Sequence, residues 1–78
     1  MPTILIDGSY RFFFYSNEGF EPRHVHVKGN GGEAKLWIPS CRVSWSYNLN
    51  AAQLKQILNI TKNRMVYIEE KWDEHFNR

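Results

Sequence analysis

Two histidines, His24 and His26, stand two residues apart in the stretch "HVHVKGNGGEAKLW". If that stretch is a strand, positions i and i+2 share a face, so both imidazoles point the same way. Imidazole titrates nearest neutrality of all side chains and is the commonest metal ligand. Three chemistries follow. A zinc site would need at least one further protein ligand; Glu21, Glu33 and His75 are available, none at a recognisable spacing, so neither a metal nor another cofactor is expected. Acid–base cleavage of RNA would need an acceptor for the 2′-hydroxyl proton and a donor for the leaving oxygen. His24 and His26 supply both roles, with Arg11, Lys28 and Lys35 as phosphate contacts and Trp37 as a platform on which an unpaired base stacks. The third reading is a plain polar sheet face turned to solvent, with Trp37 covered by another element.

The elements that position these residues can be derived. Asn30–Gly31 is the dipeptide of a two-residue hairpin turn. That turn sets Lys28 opposite Glu33, Val27 opposite Ala34, His26 opposite Lys35, Val25 opposite Leu36 and His24 opposite Trp37. Val25, Val27, Ala34, Leu36 and Ile38 then share one face, while His24, His26, Lys28, Glu33, Lys35 and Trp37 share the other. A one-residue slip would mix the two sets. Upstream, "TILI" and "YRFFFY" read as strands joined at Asp7–Gly8, which would place Leu5 opposite Tyr10 and Thr3 opposite Phe12. Downstream, "CRVSWS" alternates as a short edge strand with Cys41, Val43 and Trp45 inward. The "GNGG" loop is a turn and not a phosphate cradle, since no helix start follows it.

The periodicity switches at "LNAAQL". Asn50 is the expected N-cap, Gln53 its capping-box partner, and Leu49 and Leu54 a hydrophobic staple. Apolar positions then recur at helical spacing through Leu54, Ile57, Leu58, Thr61, Met65, Ile68, Trp72 and Phe76. Unbroken from Ala51 to Phe76, such a helix would be about 39 Å long at about 1.5 Å per residue, against about 23 Å for seven-residue strands. Either it bends near Thr61–Asn63, or Met65, Ile68, Trp72 and Phe76 form an interface with another molecule. The fold class is therefore α+β: an antiparallel meander of four to five strands over 3–46, then a long or kinked C-terminal helix over 50–76, in a single domain over 1–78.

Composition narrows the class. At 42% hydrophobic and 15% aromatic, the chain is well outside the disordered range. Its length is near the lower limit for a self-sufficient core. A formal net charge of +2 is too small to imply nucleic acid by itself, although Glu69, Glu70, Asp73 and Glu74 gather much of the negative charge near the C-terminus. The lone Cys41, read as buried, allows no internal disulfide. No apolar run approaches the roughly 20 residues of a membrane span and no signal peptide is recognisable, so the cytoplasm is the expected location.

The combination of "YRFFFYSNEG", "EP", "HVHV" and "GEAKLW" with a late helical Trp resembles the bacterial domain of unknown function 4160 family over nearly the whole chain. Where that family commonly has a second proline after Pro22, this chain has Arg23. The resemblance implies one member of a toxin–antitoxin-like gene pair, its companion a small protein of the domain of unknown function 2442 family. It carries over no catalytic residues. Together with the histidine face it gives the leading expectation: the toxin of such a pair, acting on RNA through His24 and His26. The alternatives are a non-catalytic protein that binds its companion, as a homodimer or hetero-complex, and a small metal-binding protein.

Overall fold

The computed structural model describes residues 3–76. Five strands form one antiparallel sheet in sequence order: β1 (Thr3–Asp7), β2 (Tyr10–Phe13), β3 (His24–Gly29), β4 (Gly32–Trp37) and β5 (Arg42–Tyr47). Two helices follow, α1 (Ala51–Asn63) and α2 (Met65–Phe76). None is long and apolar enough to cross a membrane.

The β3–β4 hairpin has the derived register, with His24 opposite Trp37, His26 opposite Lys35 and Lys28 opposite Glu33. Its turn residues Asn30 and Gly31 have φ of 53° and 80°, the paired positive values of a type I′ turn, whose twist matches that of the strands. The first hairpin differs from expectation. Asp7 pairs with Tyr10 and Leu5 with Phe12, so the turn falls at Gly8–Ser9, where Gly8 takes the positive φ of 60° asked of the first central residue of a type II′ turn. The two-residue displacement leaves the faces unchanged as far as a bulge between Thr3 and Leu5.

Tyr10, Phe12, Phe14, Val25, Val27, Leu36 and Ile38 face the helices and pack with Ile57, Ile68 and Trp72 in one core. Because that core sits over β2–β4, β5 lies beyond its cover. All six residues of β5 are exposed, which corrects the inward placement of Val43 and Trp45. A bulge at Lys35/Leu36 sets Trp45 opposite Lys35, on the histidine side of the sheet. Cys41, just before the strand, is buried as expected.

The Asn50 side chain accepts from the Gln53 amide while Gln53 returns the bond, completing the capping box. The helical stretch breaks at Arg64, one residue past the expected bend, with φ −112° and ψ 18°. The longest dimension of the Cα trace is 34 Å, shorter than the straight helix would be. The break folds α2 back along the domain, and the Tyr67 hydroxyl donates to the Ile4 carbonyl at 2.7 Å. Ile68 and Trp72 are consequently fully buried in this chain's own core, with Met65 and Phe76 packed at its margin. The expected interface of Met65, Ile68, Trp72 and Phe76 is corrected: the stripe is internal.

Candidate metal centre

His24 and His26 do not face solvent. They are 0% and 2% exposed, which removes the reading of a solvated polar face. The cover comes from the segment between β2 and β3. After Phe13 the chain runs through a single 3-10 turn, Ser16–Glu18, and returns along Gly19–Arg23. Two contacts with α2 hold it down. Arg23 donates to Asp73 at 2.6 Å, and Gly19 lies so close to the Phe76 ring that a Cβ there would collide with it.

This segment brings Glu18 to the histidines. One carboxylate oxygen, Glu18 Oε1, lies 2.8 Å from His24 Nε2 and 2.7 Å from His26 Nε2. The other His24 nitrogen, Nδ1, is 2.9 Å from the Pro22 carbonyl oxygen. A carbonyl can only accept, so Nδ1 must carry the proton there. The neutral ring then presents a bare Nε2 lone pair to a carboxylate oxygen. Two lone pairs do not sit at hydrogen-bond distance, so a proton or a cation must lie between them. The His26 pattern is the reverse: Nε2–H donates to Glu18, while Nδ1 is buried without a partner among the described residues. Glu33 Oε2 lies 3.6 Å from it.

Burial works to raise the Glu18 carboxyl, but its contacts with His24 and His26 outweigh it and hold the group below the usual carboxylate range. Burial lowers His26 below an ordinary imidazole, against the opposing pull of Glu18. Both directions fit a neutral His26 donating to an ionised Glu18. Aromatic rings wall the site: Tyr15 stands edge-on to His26 at 4.5 Å between centroids, and Trp37 to His24 at 5.7 Å.

Glu18, His24 and His26 together form a cluster in which each residue offers a ligand atom within 4.8 Å of the others. Two imidazole nitrogens and a carboxylate oxygen are a donor set for a divalent first-row ion. Metal–ligand lengths of about 2.0–2.1 Å at tetrahedral angles put donor atoms about 3.3 Å apart. Glu18 would have to withdraw by about half an ångström, which a side chain 22% exposed on a loop can do. The His24 Nδ1–H bond to a backbone carbonyl is also the customary outer contact of a ligating histidine.

The other residues singled out from sequence are less free than expected. Lys35 is buried and donates to Glu21 at 2.7 Å. Lys28 stands 3.8 Å from Glu33, and Arg11 lies over the Phe13 ring. Trp37 is half-buried beneath the Lys35 ammonium. His75 packs on Phe14 and Phe76 and is not in the cluster. Glu18 escaped the sequence reading because it lies in a loop, six and eight residues before its partners. Its signal is the acidic residue of "SNEG", a turn that returns the chain to the strand carrying both histidines.

A family model described as "Domain of unknown function (DUF4160)" matches residues 9–73, a span that includes every residue of this cluster and leaves out β1. No curated protein and no solved structure matches the chain.

Proposed function

The chain belongs to the family of domain of unknown function 4160, and we propose that within it this protein is a small metal-binding domain holding one divalent transition-metal ion between Glu18, His24 and His26. The observation that carries this reading is the convergence of both Nε2 atoms on Glu18 Oε1 while His24 Nδ1 is committed to Pro22. That arrangement asks for a positive charge at the point where a metal would sit. Three protein ligands leave a coordination position for water or an exogenous ligand, as in catalytic and not structural zinc sites.

The test is metal analysis of protein purified without chelator, followed by thermal melting with zinc and with EDTA. The expected result is about one ion per chain and a zinc-dependent rise in Tm that is lost in His24→Ala/His26→Ala. Protein that neither retains nor is stabilised by zinc, nickel, cobalt or iron(II) overturns the reading and leaves a proton in the ion's place.

A second reading, docking of a small companion protein, has its own support. Edge strand β5 exposes Val43, Trp45 and Tyr47, with no proline or acidic residue to blunt pairing by another strand. Sedimentation of the chain with its companion checks it, with Trp45→Lys expected to abolish the complex. The RNA-cleaving reading has weaker support, since His24 and His26 are enclosed and Lys35 is neutralised by Glu21.

A further inference from the structure

The unpartnered nitrogen of His26 points beyond the three ligands. His26 Nδ1 is buried with no hydrogen bond, 3.6 Å from Glu33 Oε2. That same oxygen accepts a long bond of 3.4 Å from the Tyr15 hydroxyl, and the other Glu33 oxygen faces Lys28 at 3.8 Å. Glu33 therefore stands, only partly exposed, at the far side of the His26 ring from the ligand cluster. An imidazole nitrogen that carries no proton cannot bond to a carboxylate, and at 3.6 Å no bond is formed. A carboxylate positioned there without a bond has its use in the other tautomer.

We infer that Glu33 is the positioning residue of the metal centre, accepting a hydrogen bond from His26 Nδ1–H when a metal takes Nε2. The inference rests on the metal reading above. Loading moves one proton within a neutral ring: Nε2–H, which donates to Glu18 in the metal-free protein, is replaced by the metal bond, and the proton resides on Nδ1. Closing the gap to Glu33 by several tenths of an ångström then makes a hydrogen bond of ordinary length. A carboxylate on the outer nitrogen fixes the ring and raises the basicity of the ligating nitrogen. Tyr15, edge-on to His26 and bonded to Glu33, keeps that carboxylate from turning away to solvent. Glu33 lies too far behind the ring to ligate the same ion or to act on a water bound to it. The two histidines would thus have matching outer contacts, Pro22 carbonyl for His24 and Glu33 for His26.

The experiment follows the His26 ring nitrogens by long-range 15N–1H NMR, metal-free and with zinc, alongside zinc affinity by dye competition in wild type, Glu33→Gln and Glu33→Ala. The expected result is a change of His26 from the Nε2–H to the Nδ1–H form on zinc addition. Zinc affinity should fall about 10–100-fold in Glu33→Ala and less in Glu33→Gln, whose amide oxygen still accepts. The Glu33–His26 bond is not formed at 3.6 Å and a glutamine oxygen still accepts from Tyr15, so without zinc Glu33→Gln should lose no more than the exposed Lys28 contact contributes. Should Glu33→Ala not fold, the wild-type tautomer and Glu33→Gln carry the decision. Zinc bound equally by wild type and both variants overturns the role of Glu33 and leaves the metal site standing. Zinc that does not bind wild type at all, with His26 remaining Nε2–H throughout, overturns the metal reading and this inference together.

Discussion

Trp72 stands against His24, their ring centroids 5.0 Å apart at an interplanar angle of 63°. The helix that closes the core therefore also forms a wall of the site. Trp72 also packs on Phe14 and Phe76, so one side chain joins α2, the residue that follows β2 and the histidine strand. This follows from the break at Arg64, which turns an apolar stripe too long for the sheet back onto the domain.

A fully buried Trp72 makes a stability prediction. Trp72→Ala should cost about 3–5 kcal/mol, the range for truncating a buried aromatic residue, a large share of the whole in so small a domain. Urea unfolding followed by far-UV circular dichroism measures it. Unchanged stability would return the stripe to the surface role that its sequence spacing left open.

All three tryptophans lie close to the histidines: Trp37 and Trp72 beside His24, and Trp45 at 5.9 Å from His26. Intrinsic fluorescence should then report occupancy of the site. Copper(II) or cobalt(II), whose open d shells quench nearby indoles, should remove most of the emission at one equivalent. Zinc should reverse the effect by competition. Quenching that rises linearly to many equivalents would mean loose surface binding instead.

Removing Glu18 should be felt even without metal. Glu18→Ala takes away the only hydrogen-bond partner of the His26 ring among the described residues and strands His24 Nε2 in a buried position. Leaving a buried polar group unpaired costs about 1–3 kcal/mol, so the metal-free variant should unfold at lower urea concentration than wild type. Glu21→Ala exposes the contrast: its partner Lys35 has a flexible stem that can reach water, and its loss should cost less.

The meander, the exact pairing of His24 with Trp37, the capping box and the mismatch between an unbroken helix and the sheet were legible because each rests on local chemistry: a turn dipeptide, a two-residue alternation, a 3.6-residue period. Arg64 itself was not, since nothing about that residue marks it as a helix end more than Asn63 before it. The site was half legible. Hairpin register put His24 and His26 on one face, but whether that face met water depended on where residues 16–23 would lie. Their position is set by Arg23–Asp73 and by the Gly19–Phe76 contact, pairings 50 and 57 residues apart in the chain, which no periodicity encodes. Hence Glu18, which completes the cluster, was missed while Glu21 and Glu33 were considered.

The final prediction concerns pH, for protein kept free of metal by a chelator. His26 is held below its ordinary value by burial, so the unfolded chain takes up a proton there before the folded one does. Stability conferred by the neutral ring is then complete above the unfolded value of about 6.5 and drains away as pH falls below it. Glu18 is held down by its two histidine partners; its contribution is complete above about 4.3 and is lost as pH falls through the lower folded value. Tyr15 is pushed up by burial and then by Glu33. Its contribution is present below about 10 and fades as pH rises through the folded value, because the unfolded chain ionises first. Acid therefore destabilises in two stages, the first from His26 and the second from Glu18, and alkali only near the phenol range. Urea midpoints from pH 2 to 10 should show a plateau between about 7 and 9 with the steeper loss on the acid side. His26→Ala should remove the first acid stage and keep the second. A stability maximum below pH 6 in the wild type would contradict a neutral, buried His26, and with it the proton placement on which the site rests.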